Sequence, residues 1–133
     1  MRRVVFACIG LVVTVGAWSA IAPTAKADKG FRDAFIALYV KADSDKAKDK
    51  EFAAACEKAK CNICHVGDRK KDRNNYGKEL GKLLNRETDA ENKEKIREAL
   101  KTVAKLKSDP KDKKSPTFGE LIAGGKLPGA APK

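Results

Sequence analysis

Cys61, Cys64 and His65 fall within five positions of the stretch CNICHVG, and this spacing constrains the chain more than any other feature. On a helical turn, residues three and four apart share one side. Both sulfurs and the imidazole then emerge together, aimed at a common occupant. His65 is the only histidine, and the two remaining cysteines are Cys8 and Cys56.

The front end reads as an export signal. Arg2 and Arg3 form a positive start, and an apolar run follows from Val4 to Trp18. That run is short for a bilayer span. Ala25-Lys26-Ala27 is the small-x-small pattern of a signal-peptidase site, so residues 1–27 are expected to be a secretory signal peptide cut before Asp28. The alternative is an uncleaved N-terminal anchor. A twin-arginine signal lacks its usual preceding polar residue, because Met1 stands there. Cys8 leaves with the signal. Loss of Arg2, Arg3 and Lys26 lowers the 29 basic residues to 26 against 18 acidic ones, a net charge of +8. No further segment is long and apolar enough for a membrane. The expected product is therefore an exported, basic, soluble domain over residues 28–133, periplasmic or otherwise outside the cytoplasm, with no stable membrane insertion. An exported protein rarely meets nucleic acid, so the charge points instead to an acidic protein or an anionic surface.

After export the only aromatics are Phe31, Phe35, Tyr39, Phe52, Tyr76 and Phe118. A chain of this length folds alone, but one this charged would gain from an apolar cofactor in its interior. Phe31, Phe35 and Leu38 lie on one helical face and predict a helix over 29–41. The alanine-rich KEFAAACEKAK predicts a second helix running straight into Cys61. GDRKKDRNN has no apolar residue and reads as a loop. Tyr76, Leu80, Leu83 and Leu84 define a short third helix. TDAENKEKIREALKTVAKLK predicts a fourth, with Thr88 or Asp89 as N-cap, acids early, lysines late, and a buried stripe of Ile96, Leu100, Val103 and Leu106 or Ala104. SDPKDKKSP breaks the chain. Thr117 and Glu120 form a capping box that opens a last helix with Phe118, Leu121 and Ile122, ended by Gly124-Gly125. The expectation is an all-α fold of four or five short helices.

Two thiols on one side of a helical turn can add to the two vinyl groups at the edge of a porphyrin, and the imidazole beside the second thiol then falls beneath the iron. C-x-x-C-H is for this reason the mark of c-type haem, and an export signal fits, because that attachment is made outside the cytoplasm. The stretch resembles the haem-attachment site of monohaem c-type cytochromes, as do the alanine-rich helix before it, Gly67 after it and the helical frame. The resemblance implies a small cytochrome c-like bundle around one covalent haem c. It implies thioether bonds at Cys61 and Cys64, and His65 as the proximal ligand of the iron. The chain departs from the family in one respect: its only methionine is Met1, so the usual distal methionine is missing.

Rival readings draw in Cys56. CEKAKCNIC matches part of a plant-type iron–sulfur spacing, which needs a further distant cysteine that the chain lacks. Cys56, Cys61, Cys64 and His65 could form a Cys3His zinc site, which would make the protein a zinc-stabilised interaction module. A Cys61–Cys64 redox dithiol lacks the β-α-β pattern of thioredoxins. The bland reading of Cys56, a small buried residue on the alanine face, is preferred. Tyr76 reads as core.

Arg69, Lys70, Lys71 and Arg73 follow the motif closely. They suit a basic collar that orients an acidic redox partner, and they suit equally an ordinary solvated loop; the sequence does not separate the two. Asn74 and Asn75 are expected to bond the backbone of that loop. No acid–base pair or nucleophile constellation argues for an enzyme. The expected function is one-electron transfer between redox partners, with haem-based binding or sensing of a small gas as the alternative. On a continuous helix, nine residues at about 100° each turn Cys56 away from His65. The far side of the iron is therefore left to a lysine, the new amino terminus at Asp28, a water, or nothing.

Overall fold

Helices account for most of the architecture, and one of them, α5, holds the others together. The computed structural model describes residues 27–129. The expected signal peptide, apart from its last residue, lies outside the described residues, as does Cys8. The elements run α1 (Ala27–Tyr39), α2 (Ala47–Ala59), a 3-10 turn (Lys60–Ile63), β1 (His65–Val66), β2 (Arg69–Arg73), α3 (Asn75–Leu83), α4 (Arg86–Asp89), α5 (Lys93–Ala104) and α6 (Phe118–Ala123). Among the described residues no helix is long and apolar enough to cross a membrane.

α5 packs against α1, α3 and α6. Its apolar stripe is Ile96, Ala99, Leu100 and Val103. Leu106 falls past the helix end and is exposed. Burial of about four such side chains, at roughly 1–3 kcal/mol each, outweighs any intrinsic propensity of a charged helix. The second half of the core is aromatic. Phe35 meets Tyr39 (5.1 Å between ring centroids), Phe52 (6.5 Å) and Tyr76 (5.8 Å), and Tyr76 meets Phe118 (5.1 Å), the last two pairs edge to face. The aromatic residues thus tie α1, α2, α3 and α6 into one cluster, and Tyr76 is core, as expected.

Several helix ends follow from side-chain capping. Thr117 and Glu120 close the expected capping box on α6, and Gly125, with φ of 74°, sits in the left-handed conformation past its end. In the long charged segment the expected start at Thr88 or Asp89 is displaced. Those residues belong to the single turn α4, and the cap of α5 is Asn92, whose side chain accepts from the Lys95 N–H. Asp89 is occupied otherwise. Its carboxylate accepts from Lys95 Nζ (2.7 Å), the Asn85 N–H (2.8 Å) and the Thr88 hydroxyl (3.3 Å). These bonds, that of Lys95 foremost, hold its pKa below the ordinary carboxylate value. A depressed folded pKa gives stability that is present above the unfolded value and is lost as pH falls through the folded one. Asp89→Asn is therefore expected to lower Tm at neutral pH. The gap between variant and parent should close as both are titrated through the carboxylate range, which thermal melts at stepped pH will read.

The expectation of an all-α fold needs one correction. The charged stretch after the motif is not a loop but half of a two-stranded antiparallel hairpin. His65 pairs with Arg73 and Val66 with Arg69, with a bulge between His65 and Val66. Gly67 has φ of 65°, while Asp68 keeps a negative φ. That is the combination a two-residue type II′ turn requires. β2 has no strand propensity of its own; its pairing is decided by β1 and by its contacts with α3.

Candidate haem-attachment site

α2 does not run through the motif. It ends at Ala59, and Lys60 takes φ 49° and ψ −114° while its N–H still closes on the Cys56 carbonyl. This region of backbone space suits glycine, and a lysine there carries strain. The break redirects the chain into the 3-10 turn, so Cys61 lies in that turn, Cys64 just past it and His65 at the start of β1. The helical-turn geometry expected of Cys61, Cys64 and His65 is thus corrected, as is the continuous-helix argument that turned Cys56 away. Cys56 is nonetheless in the core, fully buried, and does not line the cleft described next.

All three motif residues do face one cleft. Ile63, Phe31, Leu80, Leu84, Ile96 and Leu100 supply its apolar walls from the turn, α1, α3 and its end, and α5. The cavity between them is about 110 Å³ and opens to solvent, and Ile63, Leu80, Leu84, Ile96 and Leu100 are themselves buried members of the core. Cys61 is exposed, Cys64 half-buried, and both are free thiols. Among the described residues no three of His, Cys, Asp and Glu gather to hold a metal ion. The cysteines and the imidazole therefore share a surface without converging on a point, and Cys56 does not join them in a Cys3His set. Burial pushes the Cys64 thiol up to about 12, against the opposing charge of Arg73 and with Cys61 adding to the rise. It is a neutral thiol at physiological pH, unlike a thiol activated for disulfide exchange. The Nδ1 atom of His65 is buried with no hydrogen-bond partner among the described residues.

Two residues hold the motif in place. Asn74, itself buried, accepts the Gly77 N–H (2.9 Å) as N-cap of α3. Its amide nitrogen donates to the carbonyls of Ile63 (3.0 Å), Asn62 (3.3 Å) and His65 (3.3 Å), two hydrogens shared among three acceptors. The Asn74 backbone N–H donates to the Cys64 carbonyl (3.1 Å). Gly77 lets α3 lie directly against the motif: a Cβ there would overlap the Cys64 carbonyl oxygen and come within 2.9 Å of its carbon. The sequence reading foresaw that Asn74 bonds backbone, but not that the backbone is that of the motif. Asn75 instead reaches Ser108, whose carbonyl accepts from its amide (3.0 Å). Asn74→Ala removes the cap and leaves buried carbonyls without donors, which is expected to cost about 2–4 kcal/mol. Chemical denaturation of parent and variant measures this, and a loss within a few tenths of a kcal/mol would show that the motif is held by other contacts.

The basic residues after the motif are partly committed. Arg69 and Lys71 are exposed, and Arg69 pairs with Asp72 at 2.8 Å. Arg73 lines the cleft, its guanidinium lying where a side chain at Gly81 would be. Comparison with family models, with curated proteins and with solved structures finds no match to this chain.

Proposed function

We propose that this protein is an exported c-type cytochrome that carries one covalent haem and passes single electrons between redox partners. The observation that carries the reading is the joint exposure of Cys61, Cys64 and His65 to one apolar cleft in which the imidazole has an unpartnered nitrogen. Cys61, Cys64 and His65 line a cleft whose other walls are mostly apolar, which suits an apolar group. Cys61 and Cys64 would hold it through thioethers and His65 would ligate its iron. The group, when bound, supplies the ferric–ferrous couple. The chain's own residues do the rest: Phe31, Leu80, Leu84, Ile96 and Leu100 keep water from it, and Asn74 and Gly77 keep the motif in register. A pyridine-haemochrome and metal assay on the purified exported protein tests this. Stoichiometric haem supports it, and zinc without haem absorption overturns it.

His65 and Arg73, paired in the hairpin, both line the cleft, which supports docking of an acidic partner beside it. Electron transfer to such a partner is expected to slow as salt rises, because exposed charges are screened within about 8–10 Å at ordinary ionic strength. Lys71→Glu should flatten that dependence. Stopped-flow rates that ignore both changes would return the hairpin to plain solvated surface.

A further inference from the structure

The chain comes back to the motif after α6. Gly125, with φ of 74°, turns the backbone there. Its N–H donates to the Ile122 carbonyl (2.9 Å) and that of Lys126 to the Leu121 carbonyl (2.9 Å), which closes the helix end. Residues 126–129 then form a strap laid on the molecule. Leu127 packs against the core and Pro128 is buried. Gly129 arrives at Asn74. A Cβ there would overlap the Asn74 amide nitrogen, come within 2.6 Å of the amide carbon and lie 2.8 Å from the Ile63 carbonyl oxygen. Those two groups are donor and acceptor of one hydrogen bond, from Asn74 to Ile63 at 3.0 Å. The bare backbone of Gly129 therefore covers that bond, and only a residue without a side chain fits.

What lies beneath the strap is the hold on the motif. The Asn74 amide has two hydrogens for three carbonyls, and its bonds to Asn62 and His65 are already long, at 3.3 Å each. Water at the amide would compete for those hydrogens. A side chain at position 129 would push the amide aside, and the longest bonds are lost first. One of them is the bond to His65. The Nδ1 atom of His65 has no hydrogen-bond partner among the described residues. No bond at that atom orients the ring, so its direction depends on how firmly its backbone is held.

We infer that the strap positions His65 through Asn74, with Gly129 as the positioning residue. Its bearing on the iron rests on the haem reading above; the tie from Gly129 to His65 does not. The orientation of a ligating imidazole tunes its metal. Gly129 does not line the cleft, and neither does Leu127 or Pro128. The strap thus acts on the ligand without touching the occupant.

The test compares the parent with Gly129→Ala and with a chain ending at Lys126. Gly119→Ala serves as control: its added Cβ would meet the Ala104 carbonyl oxygen at 2.9 Å, a collision between α6 and α5 that involves no motif residue. Haem content is read first. The ring-proton signals of His65, the only histidine in the chain, are then read by NMR, and the midpoint potential is measured on haem-loaded samples. Gly129→Ala and the shortened chain are expected to shift the His65 signals and the potential, and Gly119→Ala to leave both at the parent's values. In an Asn74→Ala background, which has no amide to displace, Gly129→Ala should add little further shift. Parent signals in Gly129→Ala, or an equal added shift in both backgrounds, overturns the positioning role while a haem-loaded parent keeps the cytochrome reading. A parent without haem brings down that reading and the bearing on the iron, and the His65 signals alone then decide the tie. If Gly129→Ala does not fold, displaced signals in the shortened chain support the assignment and parent signals overturn it.

Discussion

The proposed haem is expected to stay on the protein through unfolding and acid–acetone extraction, and to be lost completely from the double variant Cys61→Ala/Cys64→Ala. The two single variants should retain it through one thioether and attach it less completely. The reason is chemical. Ligation by an imidazole and burial in a cleft are both lost on unfolding, whereas a carbon–sulfur bond is not. His65→Ala separates the two kinds of hold: haem should remain attached while the proximal ligand signature in the ferric and ferrous spectra is lost. A gel stained for haem peroxidase activity, with mass spectrometry of the intact chain, reads each outcome. Haem that extracts completely from the parent would mean that the two thiols do not hold it, whatever else the cleft binds.

The second large effect concerns the far side of the iron. Met1 is the only methionine and His65 the only histidine in the chain, and among the described residues His65 is the one side chain of these two types that lines the cleft. Cys56 is closed off in the core, where burial keeps it a neutral thiol up to about pH 11. Lys60 does line the cleft, but it is exposed, and ligation would require its desolvation. His/Met ligation raises the potential of many small cytochromes c. The expected result is a midpoint potential clearly below theirs, together with a ferrous form that binds carbon monoxide. A potential in the His/Met range with a ferrous form inert to carbon monoxide would mean that a strong sixth ligand reaches the iron. Carbon monoxide binding also bears on the gas-binding alternative. Should affinity be high while electron transfer to partners is slow, ligand binding would replace electron transfer as the principal role.

Local pattern was enough for those parts of the molecule whose causes are local. Apolar residues at helical spacing placed α1, α3 and α5 close to where they lie, because one turn of helix sees only its neighbours three and four positions away. The capping box of α6 involves two residues three apart and is legible for the same reason. The same spacing rules put Leu83 on the face of Tyr76 and left the last position of the α5 stripe to Leu106 or Ala104, yet Leu83 and Leu106 are both exposed. Which member of an apolar stripe is covered depends on the partner helix, and periodicity carries no information about the partner.

The site divides in the same way. That Cys61, Cys64 and His65 belong together is written in the sequence, since four positions of chain cannot separate them. That they line one apolar cleft was decided by α1, α3 and α5, whose apolar wall residues lie 15 to 39 positions away. The break at Lys60, the strand pairing of His65 with Arg73, the grip of Asn74 on three carbonyls and the cations that face the cleft are likewise tertiary. Each depends on groups distant in sequence meeting in space. A lysine forced to positive φ and a charged stretch forced into a strand run against their own local preferences, and only the packing of the whole molecule overrides them.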